Sequence, residues 1–70
     1  MPILFSNIGD EVSVASIGGN PEVKQHLMEL GFNIGEKITI VQKIATGLIV
    51  RVKEARIALD REMAAKIKVA

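Results

Sequence analysis

The sequence predicts a mainly β protein: a small, partly open barrel of about five short strands, with one helix between strands 1 and 2 and a short helical turn before the last strand. Three observations carry this. Apolar and polar residues alternate over several short stretches, the period of a half-buried strand. One stretch, Pro21 to about Leu30, instead has the 3.6-residue period of an amphipathic helix. Five short strands are too few for a sandwich of normal size, whereas a bent barrel hides most strand edges.

The elements follow in order. After a short apolar lead, Gly9-Asp10 reads as a turn into strand 1, where Val12, Val14 and Ile17 alternate with Glu11, Ser13 and Ser16. Gly18-Gly19 ends that strand. Asn20 is a good N-cap, Pro21 takes the first helical position and Glu22 puts a negative charge in the first turn. At 100° per residue Val23, Leu27 and Leu30 share the core face, and the helix should plug one end of the barrel. Glu22, Gln25 and Glu29 lie opposite, with His26 at the border and Lys24 and Met28 on the remaining flank.

Gly31 is placed to close the helix in a left-handed conformation, with Phe32 as the hydrophobic contact that follows. Gly35 permits a tight turn into strand 2, where Ile38 and Ile40 face one way and Lys37, Thr39 and Val41 the other, continuing to Ile44. A turn at Ala45-Thr46-Gly47 leads into strand 3, with Leu48, Val50 and Val52 inward and Arg51 and Lys53 outward. Glu54-Ala55 is the expected reversal into strand 4, which carries Ile57 and Leu59. Asp60 can cap a helical turn from Arg61 to Ala65, and Ile67 and Val69 face inward on the last strand. No linker, repeat or low-complexity segment interrupts residues 1–70, which read as a single domain.

Composition narrows the function. Seventy residues without cysteine must be held by an apolar core, and 49% hydrophobic residues with only two Phe and no Trp or Tyr make that core aliphatic. Nine basic and eight acidic residues give a net charge of +1. This is not the clustered charge of a nucleic-acid binder, and the shortage of aromatics removes the usual stacking platform. No apolar stretch is long enough to span a membrane, and the N-terminus lacks the basic region of a signal peptide. A soluble protein is expected, and the absence of cysteine suits a reducing cytoplasm.

Catalysis finds little to work with: one His, no Cys and three Ser. Gly18-Gly19 precedes a helix N-terminus that can bind an anion, but a turn there explains the pair equally well. Glu22, His26 and Glu29 stand at i, i+4 and i+7 and form a candidate stripe for a divalent ion such as Fe(II), Mn(II) or Zn(II). The stripe spans about 10 Å at 1.5 Å per residue, so both ends cannot reach one ion, although His26 with either neighbour can contribute to a shared site. The competing reading is a solvated helix face. Met28, outside the core stripe beside Lys24, is a candidate partner contact, since methionine adapts to partner surfaces. Arg51 and Lys53, with Arg56 across a hairpin, form a modest basic patch that also reads as a solvated strand face.

The stretch HLMELGFNIGEKITIV resembles the signature of the FeoA family, small cytoplasmic accessory proteins of bacterial ferrous iron uptake. There a helix ends in a Leu-Gly step, followed by a Gly-containing turn and a strand. Leu27, Leu30, Gly31, Gly35, Ile38 and Ile40 occupy those places. The likeness continues through Ile49 to Val52 and through IALDREMAAKIKV, and it covers roughly residues 5–70. This chain departs from the family pattern in its short KIATG loop, in Glu54 where the family hairpin often has Gly, and in Asp60 where an Arg commonly follows the terminal leucine.

The resemblance implies an SH3-like barrel without enzymatic activity that acts with the membrane permease FeoB, whose cytoplasmic GTPase domain is the expected partner. The implied role is to regulate or assemble that permease, with contact to the membrane only through it. Lys24, Met28 and the Phe32-Asn33 loop are then the presenting surface, beside Arg51 and Lys53. The domain also resembles the C-terminal module of diphtheria-toxin-repressor-type iron regulators, which can supply metal ligands. That kinship keeps Glu22, Gln25, His26 and Glu29 as metal candidates and gives the alternative reading, an iron sensor or metallochaperone. An exposed strand edge leaves room for a homo-oligomer.

Overall fold

In a computed structural model describing residues 1–70, five strands form one antiparallel sheet in the order β4-β3-β2-β1-β5. They are β1 (Glu11–Ile17), β2 (Lys37–Ile44), β3 (Gly47–Val52), β4 (Ala55–Asp60) and β5 (Ile67–Val69). Helix α1 (Pro21–Glu29) joins β1 to β2, and the single turn α2 (Arg61–Ala64) joins β4 to β5. The outer strands β4 and β5 are not paired with each other, so the barrel is open.

The curl of the sheet is built into β1. Its first half pairs with β2, Val12 opposite Ile38, and its second half pairs with β5, Ile17 opposite Ile67. The register shifts between Val14 and Ser16, a bulge that bends the strand. It also explains how Val14 and Ile17, three positions apart, are both buried while Ala15 is exposed. A second irregularity between Ile40 and Gln42 bends β2. Plain alternation does not reveal either shift.

Both helices start as their sequences require. The Asn20 side-chain oxygen accepts from the Val23 N–H at 2.9 Å, and that of Asp60 accepts from the Met63 N–H at 2.8 Å. Each such cap is worth about 1 kcal/mol. The core comprises fourteen buried residues, of which Phe32 is the sole aromatic. Leu27 is the one fully buried residue of α1; Val23 and Leu30 pack half-buried against the same cluster. On the three strands facing them, Ile38, Ile40, Leu48, Val50, Val52 and Leu59 point inward as the alternation predicts.

Three expectations need correction. The chain start is not a mere lead: a 3-10 turn at Ile3–Phe5 inserts Ile3 fully into the core. The second hairpin reverses at Lys53-Glu54 rather than Glu54-Ala55, because Val52 pairs with Ala55. Lys53 therefore sits in the turn and not on β3, with φ +57, the positive value found at the first turn residue of a primed hairpin turn. The first hairpin turn is Ala45-Thr46, and Gly47 is the first residue of β3. A Cβ on Gly47 would run into the Leu59 carbonyl and lie 2.8 Å from Asp60 Cα, so β3 and β4 can meet there only at a glycine.

Candidate functional site

The candidate site is the corner where α1 turns into β2. Two backbone hydrogen bonds close the helix: the Gly31 N–H donates to the Met28 carbonyl and the Phe32 N–H to the Leu27 carbonyl, both at 3.0 Å. This is the Schellman arrangement, which places Gly31 at a positive φ, here +111. Phe32 then drops into the core with no exposed surface. Phe32 was expected both to close the helix and to face a partner; burial leaves it only the first role.

A second turn follows at once. The Glu36 N–H donates to the Asn33 carbonyl at 2.9 Å, with Gly35 at φ +86. The Gly35 N–H and the Glu36 carbonyl both bond to Val14, pinning the corner to β1. Ile34 is left at the tip, 61% exposed. The sequence reading missed Ile34. Its signal was an apolar residue between Asn33 and Gly35, the solvent-facing position of a turn. Met28 is 44% exposed on the last turn of α1, and Lys24 and Asn33 are exposed as well. Phe5, 70% exposed, and Ile8, 61% exposed, are further apolar surface residues outside the corner.

The corner and the hairpin between β3 and β4 are neighbours. A Cβ on Gly31 would lie 2.9 Å from Val52 Cγ1, and Lys53 Nζ lies 3.9 Å from Glu36 Oε1. The turn that carries Asn33 and Ile34 therefore lies beside the hairpin that carries Lys53. Arg51 stands directly across from Arg56 in the β3–β4 ladder, and both are exposed. The basic patch is thus a pair of strand arginines and a separate turn lysine that is already ion-paired.

Glu22, Gln25, His26 and Glu29 are all exposed on α1. No three acidic or histidine side chains in the structure come together around one point, so the stripe is not a closed metal site. At the other end of α1, the Gly18 N–H donates to the Lys66 carbonyl at 2.7 Å and is not free for an anion. The molecule has no pocket, and no helix is long and apolar enough to cross a membrane.

Comparison with known proteins adds the decisive observation. The family model of the FeoA domain matches residues 1–70, the whole chain. The chain belongs to the FeoA family. A protein of Methanocaldococcus jannaschii carrying the name Fe(2+) transport protein A is 34% identical over 68 residues, covering 97% of this chain and 83% of that one. FeoA of Stenotrophomonas maltophilia, solved in complex with zinc and described as a procaryotic SH3 domain protein, superposes with a TM-score of 0.84. That match has 29% identity and covers 100% of this chain and 89% of the other. A manganese-dependent transcriptional repressor shares the fold at a TM-score of 0.86 and 19% identity; the match spans 99% of this chain and 40% of the repressor. The FeoA chain is thus an SH3-like barrel of a ferrous iron transport family, and the same fold recurs as part of a metal-dependent repressor.

Proposed function

We propose that this FeoA chain is a non-catalytic cytoplasmic accessory protein of ferrous iron uptake, which regulates or assembles the FeoB permease by direct contact with its cytoplasmic GTPase domain. Family membership supports the iron-uptake setting. The observation that carries the contact is the corner itself. Met28 and Ile34 expose apolar surface beside two glycine-closed turns, and Lys24, one helical turn before Met28, and Asn33, next to Ile34, are exposed polar neighbours. Apolar anchors inside a polar rim are the usual anatomy of a protein interface. The corner is pre-organised, so little entropy is lost when a partner covers it.

The test is a pull-down of the purified GTPase domain from the same organism with GTP, GDP or no nucleotide, using the wild-type chain and Met28→Asp. Met28 packs outside the core, so the variant should keep the wild-type circular dichroism spectrum and melting temperature. Binding by the wild type and its loss in Met28→Asp is the expected result. Unchanged binding by a folded Met28→Asp removes the corner from the interface. A second reading, direct binding of Fe(II) or another divalent ion, has the zinc complex of the S. maltophilia relative in its favour. In this chain such an ion would take His26 with Glu22 or with Glu29, and its remaining ligands from elsewhere.

A further inference from the structure

The sheet has two outer edges, and the fold treats them differently. The edge of β5 is covered by the chain start: the Val69 N–H donates to the Met1 carbonyl at 2.7 Å, the Met1 ammonium donates to the Val69 carbonyl at 3.1 Å, and Pro2 bridges to Lys68. Nothing comparable covers β4. The turn-closing pair Val52–Ala55 sets the phase of the β3–β4 ladder, so Ala55, Ile57 and Leu59 bond to β3. The N–H and C=O groups of Arg56 and Ala58 then point away from the sheet, and they have no backbone partner elsewhere. The strand has no proline and no bulge, the common devices that blunt an edge.

Exposed Glu54 and Asp60 lie at the two ends of this edge, and between them the charge is basic. Arg56 stands opposite Arg51, and like charges directly across a ladder repel. The ion pairs of the molecule are Lys37–Glu11 and Lys53–Glu36, so neither arginine has an acidic partner. We infer that the β4 edge receives an extended acidic segment of a protein partner as a sixth strand. Its backbone pairs with Arg56 and Ala58, and its carboxylates lie over the Arg51–Arg56 pair. Strand addition draws affinity from main-chain hydrogen bonds and specificity from side chains on one face. A second copy of this chain is the rival occupant, because pairing centred on Ala58 would set Arg56 of each copy against Asp60 of the other, and the test below reads self-association as a separate outcome. The inference rests on the reading of this chain as a protein-contact module and adds a second contact to the corner.

The test uses the full chain, labelled with 15N and titrated with a short capped peptide of alternating Glu and Val. A Lys/Val peptide of equal length is the control. The Glu/Val peptide should shift the Arg56 and Ala58 amides and slow their exchange, while the amides of Ala55, Ile57 and Leu59, already bonded to β3, change less. Arg51→Glu combined with Arg56→Glu should weaken the peptide about tenfold, the sum of two exposed ion pairs. Ala58→Pro, which removes an outward N–H and no ladder bond, should abolish docking; the arginine pair serves as the test if that variant unfolds. Unmoved Arg56 and Ala58 amides, or equal binding of the Lys/Val peptide, would overturn the inference. So would concentration-dependent protection of β4 in the free chain, which would mark a self-association edge. If the peptide docks but the GTPase domain does not bind the wild type, the named partner is wrong and the edge stands. If that domain binds wild type and the double arginine variant alike while the peptide leaves β4 unmoved, the partner stands and the edge inference is lost.

Discussion

Replacing each corner glycine with alanine separates backbone strain from steric contact. A Cβ on Gly35 meets nothing within 4 Å, so Gly35→Ala pays only for φ +86. That strain is about 1–2 kcal/mol, offset by roughly 0.4–1 kcal/mol from the smaller entropy of the unfolded chain, for a net loss near 1 kcal/mol. Gly31→Ala carries similar strain at φ +111, and its Cβ would also press on Val52 Cγ1 at 2.9 Å. Val52 is 2% exposed and belongs to the packed core, so it has little room to yield. Overpacking of this kind adds about 1–3 kcal/mol, bringing Gly31→Ala to roughly 2–4 kcal/mol. A chain of this length has about 4–10 kcal/mol in all, so one variant stays folded with margin and the other approaches the edge of folding.

Urea unfolding followed by circular dichroism is the suitable assay, since the chain has no Trp or Tyr to report by fluorescence. Thermal melts should show Gly35→Ala lower by about 4–8 °C and Gly31→Ala by two to four times that. Val52→Ala in the Gly31→Ala background should recover about 1 kcal/mol relative to additivity. Equal losses for the two glycine variants, or strict additivity with Val52→Ala, would refute the contact argument.

Further outcomes follow from the same geometry. Phe32→Ala should cost about 3–5 kcal/mol in urea unfolding, as expected for a fully buried aromatic; a loss below 1 kcal/mol would return Phe32 to the surface. Lys53→Gly should stabilise the chain by a few tenths to about 1 kcal/mol, because Lys53 is the only non-glycine residue at positive φ. A melt at or below wild type would show that its pairing with Glu36 outweighs the backbone strain. Stoichiometric Zn(II) or Mn(II) should leave the melting temperature within about 1 °C of the metal-free value, since two exposed ligands on one helix hold an ion only weakly. A rise of several degrees that His26→Ala abolishes would establish a site that α1 alone does not build.

The sequence alone determined what short-range physics controls. Asn20 and Asp60 announced their helices because a cap needs only a side chain and an N–H three residues on. The Leu-Gly-Phe step announced the closing of α1 for the same reason, and the inward faces of β2 and β3 followed from a period of two. What only the tertiary structure decided depends on partners distant in the chain. The bulge in β1 follows from a strand that must pair with β2 and then with β5. The position of the second hairpin turn follows from the β3–β4 register, which moved Lys53 off the strand. Ile3 is core because Met1 bonds to Val69, at the far end of the chain. The surface was least legible of all. Ile34 had a local signal at the tip of its turn, but the difference between a covered β5 and an open β4 comes from long-range pairing, which leaves no local period to read.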